Sequence, residues 1–247
     1  MSFNIVLYGL LTLLMVGFLV APVLFTPVFQ FFAPGGAPVI YNNTPILSLA
    51  LSHAVVVIGS MIVTTVLATG LAILTTRRIG LHFLGQARGL ASMGQTIPPV
   101  AVLALAVPLF GFGTWPILFA LVLYGMFPIY ENTIAGLKAI PESIIDVTKG
   151  IGMTETQRLW WVELPLAAPA ILEGIRISSV ISISTATLGS TIASKGLGEI
   201  IIAGLQHDNN AFIVQGSFVV AGFALLASQS IQALISFSQG RARSVAG

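Results

Sequence analysis

The sequence predicts an all-α integral membrane protein with six transmembrane helices, and three observations support this fold class. Of its 247 residues, 56% are hydrophobic and only 7% are charged, whereas a soluble domain carries about 25% charged residues. The mean hydropathy of +0.99 fits a chain whose main solvent is lipid. Six stretches also approach or exceed the roughly 20 apolar residues that a helix needs to cross the hydrocarbon core.

The six stretches follow one another without a large soluble insertion. They are predicted over residues 5–25, 46–74, 89–110, 115–137, 166–194 and 211–237. A loop rich in Pro, Gly and Asn separates the first two, and residues 111–114 form a turn between the third and fourth. We therefore predict one transmembrane domain spanning residues 1–247.

Prolines interrupt the third and fourth stretches. Pro98, Pro99 and Pro108 fall in the third, and Pro128 falls in the fourth. Because each proline removes a backbone hydrogen bond, each is expected to kink its helix. Such kinks either shape a gate or are static packing features.

The basic residues predict the orientation of the chain, because Lys and Arg near helix ends are retained on the cytoplasmic side. One side carries most of them, and the other carries only Lys195. The first group comprises Arg77, Arg78, Arg88, Lys138, Lys149, Arg158, Arg241 and Arg243. Both termini are therefore predicted to be cytoplasmic.

The polar segment between the fourth and fifth stretches has the strongest local signals. Residues 140–165 read IPESIIDVTKGIGMTETQRLWWVELP, which predicts a helix, a turn and a second helix. Pro141 suits a first helical position, and Gly150 or Gly152 can end the helix in a left-handed conformation. Thr154 and Gln157 have the spacing of a capping box.

The first of these short helices mixes apolar and charged residues. Its apolar members are Ile144, Ile145, Val147, Ile151 and Met153. A helix that docks in a partner's groove uses apolar anchors at helical spacing with a polar rim, and this segment offers both. The alternative is an amphipathic connecting loop without a partner.

This segment resembles the cytoplasmic signature of ABC importer permeases. That signature is Glu-Ala-Ala, three residues, Gly, nine residues and Ile-x-Leu-Pro. Both spacings are met, although the first triplet reads Asp-Val-Thr; the matching positions are Asp146, Val147, Thr148, Gly152, Val162, Leu164 and Pro165.

The resemblance implies a type I ABC importer permease fold with a cytoplasmic coupling helix. It further implies that residues 138–165, the coupling segment, insert into a groove of a separate ATP-binding subunit. The residues that it assigns to this coupling are Glu142, Asp146, Val147, Thr148, Gly150, Gly152, Met153, Val162, Leu164 and Pro165.

The resemblance extends over residues 47–235. Within the family, the chain resembles most specifically the permeases for quaternary-amine osmoprotectants such as glycine betaine, choline and carnitine. The stretches that carry it include GQTIPPVAVLALAVPLFGFG from residue 94, YENTIAGL from residue 130 and STATLGSTIASKGLGEIIIAGL from residue 184. The implied partners are an ATP-binding subunit, an extracytoplasmic solute-binding protein, a second permease chain (identical or a sister) and the lipid bilayer. The implied location is the bacterial inner membrane, and no cofactor is implied.

Small polar residues recur at helical spacing in the fifth stretch. In lipid such a face either packs against other helices or lines a wet path. We assign to a candidate translocation path Ser184, Thr187, Thr191 and Ser194, together with Tyr130 and Glu131. Nearby, Glu173 and Arg176 have the spacing of an ion pair on one helix face.

Catalytic chemistry finds no support in the sequence. There is no Gly-x-x-x-x-Gly-Lys-Ser/Thr loop for ATP phosphates, no His-Glu-x-x-His metal site and no Gly-x-Ser-x-Gly elbow. Cysteine is absent, and the scattered basic residues do not favour nucleic acid. The alternatives to an osmoprotectant permease are a permease for another small solute, such as methionine, and an ion-coupled secondary transporter.

Overall fold

The computed structural model describes residues 2–78 and 80–246, with side chains for residues 6–78 and 80–238. The side chains of Arg241 and Arg243, which entered the orientation prediction, lie outside that part. Every regular element within it is helical. The α-helices are α1 Ser2–Val20, α2 Thr26–Phe29, α3 Ile46–Thr76, α4 Leu84–Thr96, α5 Pro99–Phe110, α6 Thr114–Lys138, α7 Glu142–Gly150, α8 Glu155–Arg158, α9 Leu164–Ala186, α10 Gly198–Gln206 and α11 Asn210–Ala246.

The predicted six spans are present as four long helices and two broken ones. Long apolar helices cover Ile46–Thr76, Thr114–Lys138, Glu155–Ile192 and Asn210–Ser238. Two helix pairs complete the six when each pair is counted as one span, namely Val6–Val20 with Pro22–Phe32 and Leu81–Thr96 with Pro99–Phe110.

Three of the predicted stretches are not single, straight α-helices. The first helix ends at Val20, and Pro22–Phe32 leaves its axis at 116°, because Pro22 and Pro27 remove amide donors from that stretch. The third stretch is two helices, since Pro98 and Pro99 end α4. In the fifth stretch the α-helix stops at Ala186, and a 3-10 segment covers Thr187–Ile192.

The chain divides into two compact units, and each contains parts of α3, α6, α9 and α11. The first comprises residues 1–60, 97–122 and 179–227, and the second comprises residues 61–96, 123–178 and 228–247. The core of the first unit holds large buried side chains, among them Phe18, Phe29, Leu49, Leu197, Ile200 and Phe212.

Glycines permit close helix packing within the second unit. A Cβ on Gly94 would lie 2.3 Å from the Leu123 carbonyl oxygen, and a Cβ on Gly174 would lie 2.8 Å from the Pro128 carbonyl oxygen. Both approaches bring another helix against α6. Small residues at such crossings are the usual means by which membrane helices pack closely.

Candidate functional site

The coupling segment folds as two short helices joined by a left-handed glycine. Helix α7 covers Glu142–Gly150, and Gly152 has φ +80°, so of the two predicted glycines it is Gly152 that adopts the left-handed conformation. Pro141 is the N-cap of α7 rather than its first helical residue. The Met153 amide donates to the Thr148 carbonyl oxygen at 3.0 Å, which closes the turn.

The predicted capping box at the start of α8 is confirmed. The Thr154 amide donates to Gln157 Oε1 at 2.9 Å, and the Gln157 amide donates to Thr154 Oγ1 at 3.3 Å. Reciprocal bonds of this kind satisfy two amides that a helix start would otherwise leave unpaired. The turn between α7 and α8 is therefore defined by local sequence.

Helix α7 buries one residue and, together with the residue that follows it, exposes two apolar side chains. Thr148 is its buried residue, whereas Val147 is 64% exposed and Ile151 is 67% exposed. These two residues are four apart and share one face of the helix. The polar rim contains Glu142 and the exposed pair Asp146–Lys149, in which Nζ and Oδ1 are 2.9 Å apart.

A π turn over Leu159–Glu163 links α8 to α9. The Leu164 amide donates to the Leu159 carbonyl oxygen, which is an i to i+5 bond. Pro165 explains why the α pattern fails here, because it has no amide for the Trp161 carbonyl and its ring would clash with that group. The coupling position Val162 lies within the turn and Leu164 directly follows it; both are half-buried, and Pro165 is exposed.

Glu163 lies at the centre of an ion-pair cluster that the sequence did not reveal. Its side chain is buried, and Oε1 accepts a hydrogen bond from Arg158 Nε at 2.7 Å. Arg77 donates through Nη1 to Oε1 at 3.2 Å and through Nη2 to Oε2. Residues five apart do not face each other in an α-helix, so helical spacing gave no reason to pair Arg158 with Glu163.

Two further ion pairs lie in the second unit. The predicted Glu173–Arg176 pair is present, with Arg176 Nε donating to Glu173 Oε2 at 2.8 Å. Glu131, a candidate path residue, accepts from Arg88 Nε at 2.6 Å. Tyr130, the other candidate in this unit, is fully buried, and its hydroxyl lies 3.1 Å from Thr75 Oγ1.

The remaining path candidates lie in the first unit and do not share one α-helical face. Ser184 is on α9, Thr187 and Thr191 are in the 3-10 segment, and Ser194 follows the left-handed Ala193. Ser184 and Thr191 are exposed, Thr187 is half-buried and Ser194 is buried. The change of helix type separates Ser194 from the exposed positions, and the lining role of all four remains a prediction.

His53 supports the end of α9. Its Nε2 lies 3.1 Å from the carbonyl oxygen of Ile183, in the last turn before the α-helix stops. Carbonyls in the last turn of a helix lack their usual amide partners. The ring is buried and tilted against Phe223, which agrees with a packing role.

The loop before α3 is held by polar side chains of α10 and α11. Tyr41 Oη and Thr44 Oγ1 donate to Glu199 Oε1 at 2.7 and 2.8 Å, and Gln215 Nε2 donates to the Val39 carbonyl at 2.7 Å. Burial, followed by the Glu199 carboxylate, raises the pKa of Tyr41 to about 12. The phenol is therefore a neutral donor at neutral pH. Residues 38–44 thus form an ordered surface of the first unit.

Within the described residues, no group of three or more His, Asp or Glu side chains is arranged to hold a metal ion. The described residues form a helical bundle with a short helix, α7, at whose end two apolar side chains are exposed.

Comparisons with known proteins agree with this architecture. Residues 68–241 match the family described as "Binding-protein-dependent transport system inner membrane component". The osmoprotectant import permease protein OsmY of Salmonella typhimurium is 37% identical over 185 residues, which cover 75% of this chain and 78% of the relative. The choline transport system permease protein OpuBB of Bacillus subtilis is 35% identical over 185 residues, covering 75% of this chain and 84% of the relative.

Solved structures share the fold. An inward-facing form of the methionine ABC transporter MetNI superposes with a TM-score of 0.69 at 16% identity, covering 78% of this chain and 95% of that chain. The predicted type I ABC permease fold is thereby confirmed. The family match and the two permease relatives confirm the prediction of a transport subunit. The chain belongs to the family of binding-protein-dependent transport system inner membrane components.

Proposed function

We propose that this chain is the permease of an ATP-driven importer for small quaternary amines. The substrate class rests on the relatives, whose names specify osmoprotectant, choline, glycine betaine and carnitine transport. Another relative is an ergothioneine transport protein of Helicobacter pylori, 38% identical over 136 residues. Choline, carnitine, glycine betaine and ergothioneine all carry a trimethylammonium group, so this group defines the substrate class.

The observation that carries the mechanism is the exposed apolar pair at the end of helix α7. Val147 and Ile151 are exposed, while the neighbouring Thr148 is buried, and a capping box fixes the start of the helix that follows. An apolar pair with a charged rim fits a groove on a separate ATP-binding subunit. The whole chain acts as one permease domain, with residues 138–165 as the coupling segment.

The remaining partners follow from this assignment. Both termini are cytoplasmic, and the loop fixed by Glu199 and Gln215 contributes to the surface on which a solute-binding protein docks. A second permease chain completes the translocation path. The exposed Ser184 and Thr191 line this path. ATP binding closes the ATP-binding subunits, and their closure displaces the coupling segments.

Purification and reconstitution test both partner and solute. The chain, purified from its native membrane, is expected to co-purify with an ATPase, and the complex is expected to take up choline, carnitine or glycine betaine into proteoliposomes in the presence of ATP. Methionine is the control solute. Uptake of methionine instead would overturn the quaternary-amine assignment and retain the importer, whereas ion-driven uptake without an ATPase would overturn the importer.

A double substitution of Val147 and Ile151 to serine tests the docking face. Loss of two apolar anchors that are buried on binding is expected to weaken ATPase association at least about tenfold, since each substitution removes at least one buried carbon group worth about 0.8 kcal/mol of transfer free energy and tenfold corresponds to about 1.4 kcal/mol. Titration of purified ATPase against the permease in nanodiscs measures the affinity. Phe112→Ser, an exposed apolar position between α5 and α6 and outside the coupling segment, is the control; an equal affinity in both variants would contradict the docking face.

A further inference from the structure

One buried carboxylate connects two elements of the second unit that are distant in the chain. Arg77 directly follows the last residue of α3, and Arg158 is the last residue of α8. Glu163 is only 5% exposed and accepts hydrogen bonds from both arginines. The end of a membrane-spanning helix is therefore tied to the coupling segment across 86 residues of sequence.

The π turn is the structural cause of this contact. Residues five apart in an α-helix lie about 140° apart around the axis, because the helix has 3.6 residues per turn. A π turn has i to i+5 hydrogen bonds and brings such residues onto one side. Here the Leu164 amide bonds the Leu159 carbonyl, and Arg158 Nε lies 2.7 Å from Glu163 Oε1. Pro165 directly follows and has no amide for the Trp161 carbonyl.

The two arginines depend on this carboxylate for charge compensation. Arg77 makes a bidentate contact, which a guanidinium provides and a lysine does not. The Nε atom of Arg77 is buried and has no hydrogen-bond partner within residues 6–78 and 80–238. Removing one member of a buried ion pair leaves an uncompensated charge, so the cluster moves as a unit or breaks at substantial cost.

We propose that Glu163 is a positioning residue that transmits displacement of the coupling segment to the end of α3. This inference rests on the proposed function, since it assumes that a partner moves α7 and α8. Helix α9 directly follows the π turn in the chain, so it moves with the coupling segment without any side-chain connection. Helix α3 is a separate span, and the Arg77–Glu163–Arg158 cluster supplies a connection through side chains.

The first test is the ratio of solute transported to ATP hydrolysed in proteoliposomes that contain the complete complex. Glu163→Gln removes the charge at almost constant shape, and we expect the ratio to fall at least fivefold while ATPase co-purifies at the wild-type yield. Glu173→Gln is the matched control. The partner of Glu173 is Arg176, three residues away on the same helix, so this pair does not connect two elements. The transport ratio of Glu173→Gln is therefore expected to stay within twofold of wild type.

A distance measurement provides a readout that a purely structural role would not change. The chain contains no cysteine, so spin labels can be attached at Leu74→Cys and Thr156→Cys, which are exposed positions on α3 and α8. In the otherwise wild-type complex, the distance between the labels is expected to be equal with and without ATP. With Glu163→Gln, the distance is expected to change with nucleotide, because the two helices then move independently.

A second variant keeps the inference testable if Glu163→Gln lowers protein yield. Arg77→Lys retains the charge but loses the bidentate contact, and it is expected to lower the transport ratio at least twofold at normal yield. A normal ratio and a nucleotide-independent distance in these variants would overturn the inference while leaving the proposed function intact. Failure of the wild-type chain to bind any ATPase would overturn the proposed function and this inference with it.

Discussion

Replacing Gly198 with alanine is expected to prevent the chain from reaching its folded state in the membrane. A Cβ at this position would lie 1.8 Å from the Thr187 carbonyl oxygen and 2.7 Å from the carbonyl carbon. Both atoms are backbone, so α10 and the 3-10 segment must separate. Overpacking typically costs about 1–3 kcal/mol and more where the backbone cannot shift, and we expect little monodisperse protein in gel filtration.

The control for Gly198 is a glycine in the same unit that has open space around it. Gly59→Ala lies in the membrane helix α3, and its Cβ would meet no heavy atom within 4 Å. This variant is expected to give wild-type yield and an equal or higher melting temperature. A normal yield of Gly198→Ala would show that α10 does not pack against Thr187 as described.

Replacing Gly152 with valine is expected to disrupt the coupling segment without affecting the membrane bundle. Its φ of +80° is unfavourable for a β-branched residue, while the space around its Cβ is open, so the effect arises from the backbone alone. A cost of about 1–3 kcal/mol would lower the population of the ordered turn roughly 5- to 150-fold. ATPase affinity is expected to fall accordingly.

Hydrogen exchange of residues 142–158 provides the direct measurement for Gly152. Faster exchange confined to this segment, with an unchanged melting temperature of the bundle, is the expected result. Gly150→Ala is the control, because Gly150 ends α7 without a positive φ and its Cβ would also meet open space. Alanine is favoured there by about 0.5–1 kcal/mol, so exchange should slow; equal exchange in both variants would contradict the role of Gly152.

Sequence patterns predicted the local features of the coupling segment well, because short-range physics controls them. The Thr154–Gln157 capping box was predicted as it is found, and Gly152 was one of the two glycines, with Gly150, that could be left-handed. Both features depend on residues at most a few positions away. The Glu173–Arg176 pair was predictable for the same reason, since residues three apart on a helix are neighbours.

The broken spans were harder to predict because hydropathy does not show where a helix ends or where the chain changes direction. The stretch 5–25 is uniformly apolar, yet the structure ends α1 at Val20 and turns the following residues by 116°. In the fifth stretch the regular spacing of Ser184, Thr187 and Thr191 suggested one continuous α-helical face, whereas the last two residues belong to a 3-10 segment. Hydroxyl spacing is a property of the sequence, but the helix type depends on contacts from other elements.

By itself the sequence determined the membrane class, the apolar stretches and the local turn between α7 and α8, because composition, apolar length and capping act locally. Only the tertiary structure decided that Glu163 joins Arg77 to Arg158 and that Glu131 pairs with Arg88. Arg77 and Glu163, and likewise Arg88 and Glu131, are distant in the chain. Arg158 and Glu163 are five residues apart and would lie on different faces of an ideal α-helix. Which charges meet therefore depends on how the helices pack and on where a proline changes the helical turn.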